Sequence, residues 1–224
     1  MTLPEWLWRL RDAAADVAPE QLSRFLPPAD GGGRKAAVLI LFGEGVDGPD
    51  VLLVRRSDGL RSHAGQPAFP GGGVDPGDDG PVAAALREAE EETGLDPDGV
   101  EVFARLPEVF LPVSAFVVTP VLGWWRDPTD VHPADPAETA AVARVPIAHL
   151  VDPANRMRLR HPSGYIGPAF RAGDMLVWGF TAGLLDRVLE LGGWARPWSP
   201  GRLVELPEDR LELSSRTAPP DHET

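Results

Sequence analysis

Glu88, Glu91 and Glu92 stand at spacings of three and four residues, which on a helix stacks their carboxylates along one face within a single turn. Like charges so placed repel, at a cost of about 0.2–0.5 kcal/mol per pair, unless positive charge sits among them. Arg87 supplies part of that charge through its four-residue spacing to Glu91. Hard divalent cations would supply more, because carboxylate oxygens are the ligands that Mg²⁺ and Mn²⁺ prefer. A glutamate-rich helix without further features is usually a solvated face, so the spacing alone leaves both readings open. Just upstream, Phe69-Pro70-Gly71-Gly72-Gly73 sets three glycines in a row, which lets the backbone come close to a ligand or metal, and residues 74–80 lead from there into the helix.

Gly73, five residues, Asp79, seven residues, then Arg87-Glu88-Ala89-Glu90-Glu91-Glu92-Thr93-Gly94-Leu95 resembles the Nudix box, the signature of hydrolases that cut nucleoside diphosphates linked to another moiety. Two positions depart from it: Asp79 stands where the family has Glu, and the small Ala89 fills the hydrophobic slot after Arg-Glu. Further upstream, Leu52-Leu53-Val54-Arg55-Arg56-Ser57, then Arg61, Gly65 and Phe69-Pro70-Gly71-Gly72, resembles the motif that precedes the box in coenzyme A diphosphatases, with Val54 in place of the usual Thr.

The resemblance implies a loop–helix–loop that holds one to three Mg²⁺ or Mn²⁺ ions against the diphosphate. Glu88 and Glu92 are then the leading metal ligands, Glu91 a third and the Gly72 carbonyl a fourth, with Arg87 orienting a glutamate. The metals would neutralise the diphosphate and lower the pKa of a water, whose attack on phosphorus yields 3′,5′-ADP and 4′-phosphopantetheine. Glu88 and Glu138 are the two candidates for general base. Arg56, Arg61 and His63 are placed to face phosphate, since guanidinium forks match its oxygens, and Gln66 and Phe69 complete the expected substrate contacts. Asp79 either supports the metal's water shell or bridges to the helix. The alternatives are a Nudix hydrolase acting on ADP-ribose or another nucleoside diphosphate derivative, and a non-catalytic domain that senses a nucleotide; the presence of Arg87, Glu88, Glu91 and Glu92 argues against the last.

Stepping outward, residues 81–92 form the clearest helix, alanine-rich, with Pro81 suited to its first turn and Gly94 to its C-cap. Residues 36–42 and 51–54 read as strands joined by a hairpin. Further strands are expected over 100–106, 113–122 and 140–145, and a final helix over 175–191. Arg156, Arg158 and Arg160 alternate with Met157 and Leu159, a strand with one basic face that either meets the 3′-phosphate of coenzyme A or is solvated. Trp124-Trp125 either stacks on adenine or packs in the core, as Trp178 does on the last helix. The fold class is α/β, a Nudix-type α/β/α sandwich with a mixed sheet. It divides into an N-terminal helical extension and linker (1–33), the hydrolase domain (34–194) and an irregular or disordered tail (195–224).

Composition narrows the rest. A chain of 224 residues, 43% hydrophobic, is long enough for one full core. It contains no cysteine, which removes thiol catalysis, thiolate metal sites and disulfides and fits a cytoplasmic protein. The N-terminus has neither the basic region nor the apolar stretch of a secretory signal. The uncharged run 109–125 is broken by Pro112 and Pro120, so no membrane segment is expected. A net charge of −13 repels polyanions and argues against nucleic acid. Residues 73–108 carry eleven acids against two arginines, much of that charge in one segment. The partner expected is therefore a small molecule, and the N-terminal segment with Trp6 and Trp8 offers a surface for a homodimer.

Overall fold

The computed structural model describes residues 3–60, 63–199 and 201–207. Strand β1 (Arg34–Gly45) is apolar through its middle without alternation, which requires cover on both faces. Ala37, Leu39 and Leu41 point to one side, into a cluster with Ala84, Ala85 and Ala89 of helix α3 (Gly80–Thr93). Ile40 and Phe42 point to the other, into a larger cluster with Leu7 and Leu10 of α1 (Glu5–Asp16) and Leu185 and Val188 of α5 (Gly179–Leu191). The result is the three-layer α/β/α arrangement expected from the sequence.

The central sheet is mixed. β1 runs antiparallel to β2 (Gly48–Arg56) and β4 (Gly71–Gly73), and parallel to β7 (Phe116–Trp125). β3 (Pro67–Ala68) and β8 (Thr139–Pro146) pair with β2, while β5 (Val100–Arg105) and β6 (Val109–Leu111) pair with β7. A second sheet has the order β11 (Met175–Val177), β10 (Ile166–Ala172), β9 (Arg156–Arg160), β12 (Leu203–Glu205), with α5 lying against β10. Two single-turn helices, α2 (Pro19–Leu22) and α4 (Ile147–Leu150), complete the chain.

Helix α3 stops where expected. Gly94 adopts φ +67° and its N–H donates to the Glu90 carbonyl at 2.8 Å, a left-handed cap that a side chain would strain. Three alanines on its inner face bring it close to the sheet, which sets its glutamates beside the glycine strand β4.

Several expectations are corrected. The helix read over 175–191 is a strand followed by a helix: Met175, Leu176 and Val177 pair with β10, and Gly179 turns the chain at φ +65°. The strand read over 113–122 starts later, because residues 112–115 form the turn between β6 and β7, with Ala115 at φ 53° and Val113 75% exposed. The N-terminal segment is more than a preface, since Leu7 and Leu10 are fully buried. Trp6, expected on a dimer surface, turns inward against Phe42, Trp124 and Trp194. Within the stretch expected to be irregular, residues 203–205 form β12. Among the described residues, no helix is long and apolar enough to cross a membrane.

Candidate active site

The site forms where the end of β2, the strand β4 and the last turns of α3 converge. Arg87 is its hub. Its Nη1 donates to Glu88 Oε1 and to Glu91 Oε2, both at 3.0 Å, so one guanidinium edge bridges two of the stacked glutamates. Its other edge, Nε and Nη2, donates to the two oxygens of Asp78 at 2.9 and 3.0 Å, and Nη2 also donates to the Gly73 carbonyl at 3.1 Å. These contacts hold the Arg87 pKa above its ordinary value, Asp78 being the largest cause.

Glu92, one turn on from Glu88, is buried at 5% exposure. Its carboxylate accepts from the Gly71 N–H at 3.1 Å and from Arg56 Nη1 at 3.3 Å. Burial raises its pKa to about 7, with the Gly71 N–H and Arg56 opposing and the charges of Glu88 and Glu138 adding to the rise. Burial likewise raises Glu88, against Arg87. Glycine at position 72 leaves room for Glu88: a Cβ there would displace the Glu88 carboxylate.

Glu138 lies exposed on the loop before β8 and acts on Glu92 through its charge. That loop is tied to the carbonyls left open at the end of α3: the His132 N–H donates to Thr93 at 3.0 Å and the Ala134 N–H to Glu92 at 3.2 Å. The Ser57 N–H donates to the Glu138 carbonyl at 2.8 Å, joining the loop to the upstream motif.

The structure therefore brings together Arg56, Gly72, Arg87, Glu88, Glu91, Glu92 and Glu138. Arg56 reaches Glu92 instead of standing free toward a substrate. His63, at φ 55°, lies 3.2 Å through Nδ1 from Gln66 Oε1; burial lowers its pKa, and the charge of Arg56 adds to this. The Gln66 carbonyl accepts the Arg56 N–H, so both residues border the site. Phe69 is placed elsewhere: it is 3% exposed and packs in the main core. Arg61 lies outside the described residues. The Arg156–Arg160 stripe is not a uniform basic face, since Arg156 is buried against Asp186 between the rings of Phe170 and Trp198. Trp125 is likewise buried, and Trp124 packs against Trp6, so this pair belongs to the core. The residue that the sequence reading missed is Asp78; two adjacent aspartates nine and eight positions before Arg87 carry no periodicity to tell them apart.

Among the described residues, no three or more His, Asp or Glu side chains are grouped to hold a metal as they stand. The guanidinia of Arg87 and Arg56 take the glutamate oxygens instead. The donor set nevertheless suits a hard divalent cation: every donor is oxygen, and burial raises the pKa of both Glu88 and Glu92 despite the arginine beside each.

A mixed sheet lies between helical layers, with the glycine strand β4 packed beside the glutamates of α3. The family model described as NUDIX domain matches residues 33–165. The chain is 38% identical over 204 residues to a protein of Citrobacter koseri and 37% identical over 205 residues to one of Escherichia coli K12, both described as "Uncharacterized Nudix hydrolase NudL". Each match covers 86% of this chain and 96% of the relative. The solved Nudix hydrolase RenU of M. smegmatis shares the fold, with a TM-score of 0.52 at 22% identity over 74% of this chain and 89% of that one. The chain belongs to the Nudix hydrolase family and is a hydrolase of the pyrophosphatase kind. Nudix hydrolases generally use divalent metal ions.

Proposed function

We propose that this protein hydrolyses the diphosphate bond of coenzyme A or its derivatives, giving 3′,5′-ADP and 4′-phosphopantetheine or its acylated form, with Mg²⁺ or Mn²⁺ as cofactor. The observation that carries the reading is the meeting of two motifs on one carboxylate. Arg56 and the Gly71 N–H, both from the segment resembling coenzyme A diphosphatases, donate to Glu92 of the box. Substrate motif and cation ligands thus form one site.

Glu88, Glu91 and Glu92, with the Gly72 carbonyl, would hold the divalent cation. When bound, it neutralises the diphosphate and makes water easier to deprotonate. Glu138 takes the proton from the water that attacks phosphorus; its carboxylate is exposed and accepts no hydrogen bond among the described residues, whereas Glu88 is engaged by Arg87. As the new P–O bond forms, the bond to the bridging oxygen breaks and the charge leaves with the departing phosphate. Arg56 orients Glu92, while His63 and Gln66 border the substrate phosphates, with Arg61 expected beside them from the upstream motif alone. The cysteine-free composition supports a cytoplasmic location for this activity. A homodimer would use Trp8, still 43% exposed, and sedimentation measures it directly.

The experiment is to incubate the purified protein and Mg²⁺ or Mn²⁺ with coenzyme A, its thioesters, ADP-ribose and NADH, and to identify products by mass. Release of phosphopantetheine is expected. Cleavage of ADP-ribose with coenzyme A left intact would overturn the substrate assignment.

A further inference from the structure

The box position that holds Glu elsewhere in the family is Asp79 here, and Asp79 does not contact the hub. Its residue is exposed and it makes no side-chain cap to α3. One residue earlier, the side chain of Asp78 is only 7% exposed and does three things at once. Its Oδ1 and Oδ2 accept Arg87 Nε and Nη2, and Oδ2 also accepts the Asp75 N–H at 2.8 Å, which closes the turn before the helix.

A guanidinium is planar, and its donors point in fixed directions. A carboxylate that grips the Nε and Nη2 edge therefore dictates where Nη1 points. In this molecule Nη1 points between Glu88 and Glu91, with equal 3.0 Å contacts to each. The Gly73 carbonyl fixes the same plane from the glycine strand. With Asp78 removed, Arg87, whose side chain is 29% exposed, is free to turn toward solvent or toward an incoming phosphate, and the two glutamates lose their common reference.

We propose that Asp78, and not Asp79, is the positioning residue of the catalytic helix. By locking the plane of Arg87 it sets the carboxylates of Glu88 and Glu91 where a divalent cation meets them. The inference rests on the reading of Glu88 and Glu91 as cation ligands, and the test separates the two.

Mn²⁺ is titrated into the parent, Asp78→Asn and Asp79→Asn proteins, with free Mn²⁺ read by electron paramagnetic resonance. Hydrolysis is measured at saturating metal, and circular dichroism reports folding at the assay temperature. Asp78→Asn is expected to weaken Mn²⁺ binding by about 10- to 100-fold and to lower kcat by a similar factor, with KM within about threefold. Asp79→Asn is expected to stay within about twofold in every reading. Should Asp78→Asn fail to fold, Arg87→Lys, which keeps the charge but cannot make the two-edged contact, reproduces the loss of Mn²⁺ binding. Equal losses in both Asp variants, or parental Mn²⁺ binding in Asp78→Asn, overturn the assignment to Asp78. A parent protein that takes up no Mn²⁺ overturns the cation reading beneath it.

Discussion

Asp50, near the start of β2, and Glu92, beside its last residue Arg56, are equally hidden, at 4% and 5% exposure. Burial pushes both carboxyls above their ordinary range. Their neighbourhoods differ. Arg144 holds Asp50 Oδ2 through Nε at 2.9 Å, with Nη2 2.8 Å away, and its guanidinium lies over the Trp125 ring at 4.9 Å. Room for this pair comes from Gly43, where a Cβ would stand 2.8 Å from both Arg144 Nη2 and Asp50 Oδ1. The other charge acting on Asp50 is that arginine, whereas Glu92 has a looser partner at 3.3 Å and two carboxylates, Glu88 and Glu138, pressing on it. Asp50 is thus paired with a single arginine and has no second carboxylate acting on it, although its Oδ1 and Arg144 Nη2 make no hydrogen bond among the described residues. Glu92, pressed by two acids and held by a looser arginine, is where the proposed cation would bind.

The contrast breaks most visibly at Glu92→Gln. We expect kcat to fall by about 10²- to 10³-fold, while the metal-free protein melts at the same temperature or higher, because a neutral isostere removes an ill-compensated charge. Steady-state kinetics and a thermal melt check the two halves. The next effect is in pH. A carboxyl whose folded pKa is raised from 4.5 to about 7 keeps its proton after the unfolded chain has lost it, so its contribution to stability falls as pH rises through that window. The full loss is about 3 kcal/mol, read as the difference between parent and Glu92→Gln in urea unfolding at pH 5 and pH 8. Asp50→Asn should reverse the pattern: it leaves Arg144 without its anion and lowers stability by about 2 kcal/mol, with kcat within severalfold of the parent. Smallest of all, Asp79→Glu should leave turnover within severalfold, since Asp79 touches neither Arg87 nor the glutamates; a large gain in the same assay would contradict this.

The helix and its glutamates were legible because their signals are local. Pro81, the alanines and Gly94 mark a start, a buried face and a stop, and the spacing of Arg87, Glu88, Glu91 and Glu92 needs no distant partner. What escaped depends on contacts across the fold. Asp78 and Asp79 differ only in which side of the turn faces Arg87. Arg56 reads as a free phosphate ligand until the sheet brings it against Glu92. Phe69 sits within a functional motif yet serves the core, because the strands around it leave an apolar space there. The alternation of Arg156, Arg158 and Arg160 is real, but α5 and Trp198 bury its first member, leaving Arg158 and Arg160 exposed. In the same way, the strand Met175–Val177 passes for the start of a helix until β10 is placed beside it.

Anomalous diffraction from crystals soaked in Mn²⁺ tests most directly whether the charge deficit around Glu92 is a cation site. The account predicts a manganese peak within coordination distance of the Glu88 and Glu92 carboxylates, with Arg56 displaced from Glu92, and no peak beside Asp50. Full soaking with no density at those glutamates, their oxygens still held by Arg87 and Arg56, would contradict it.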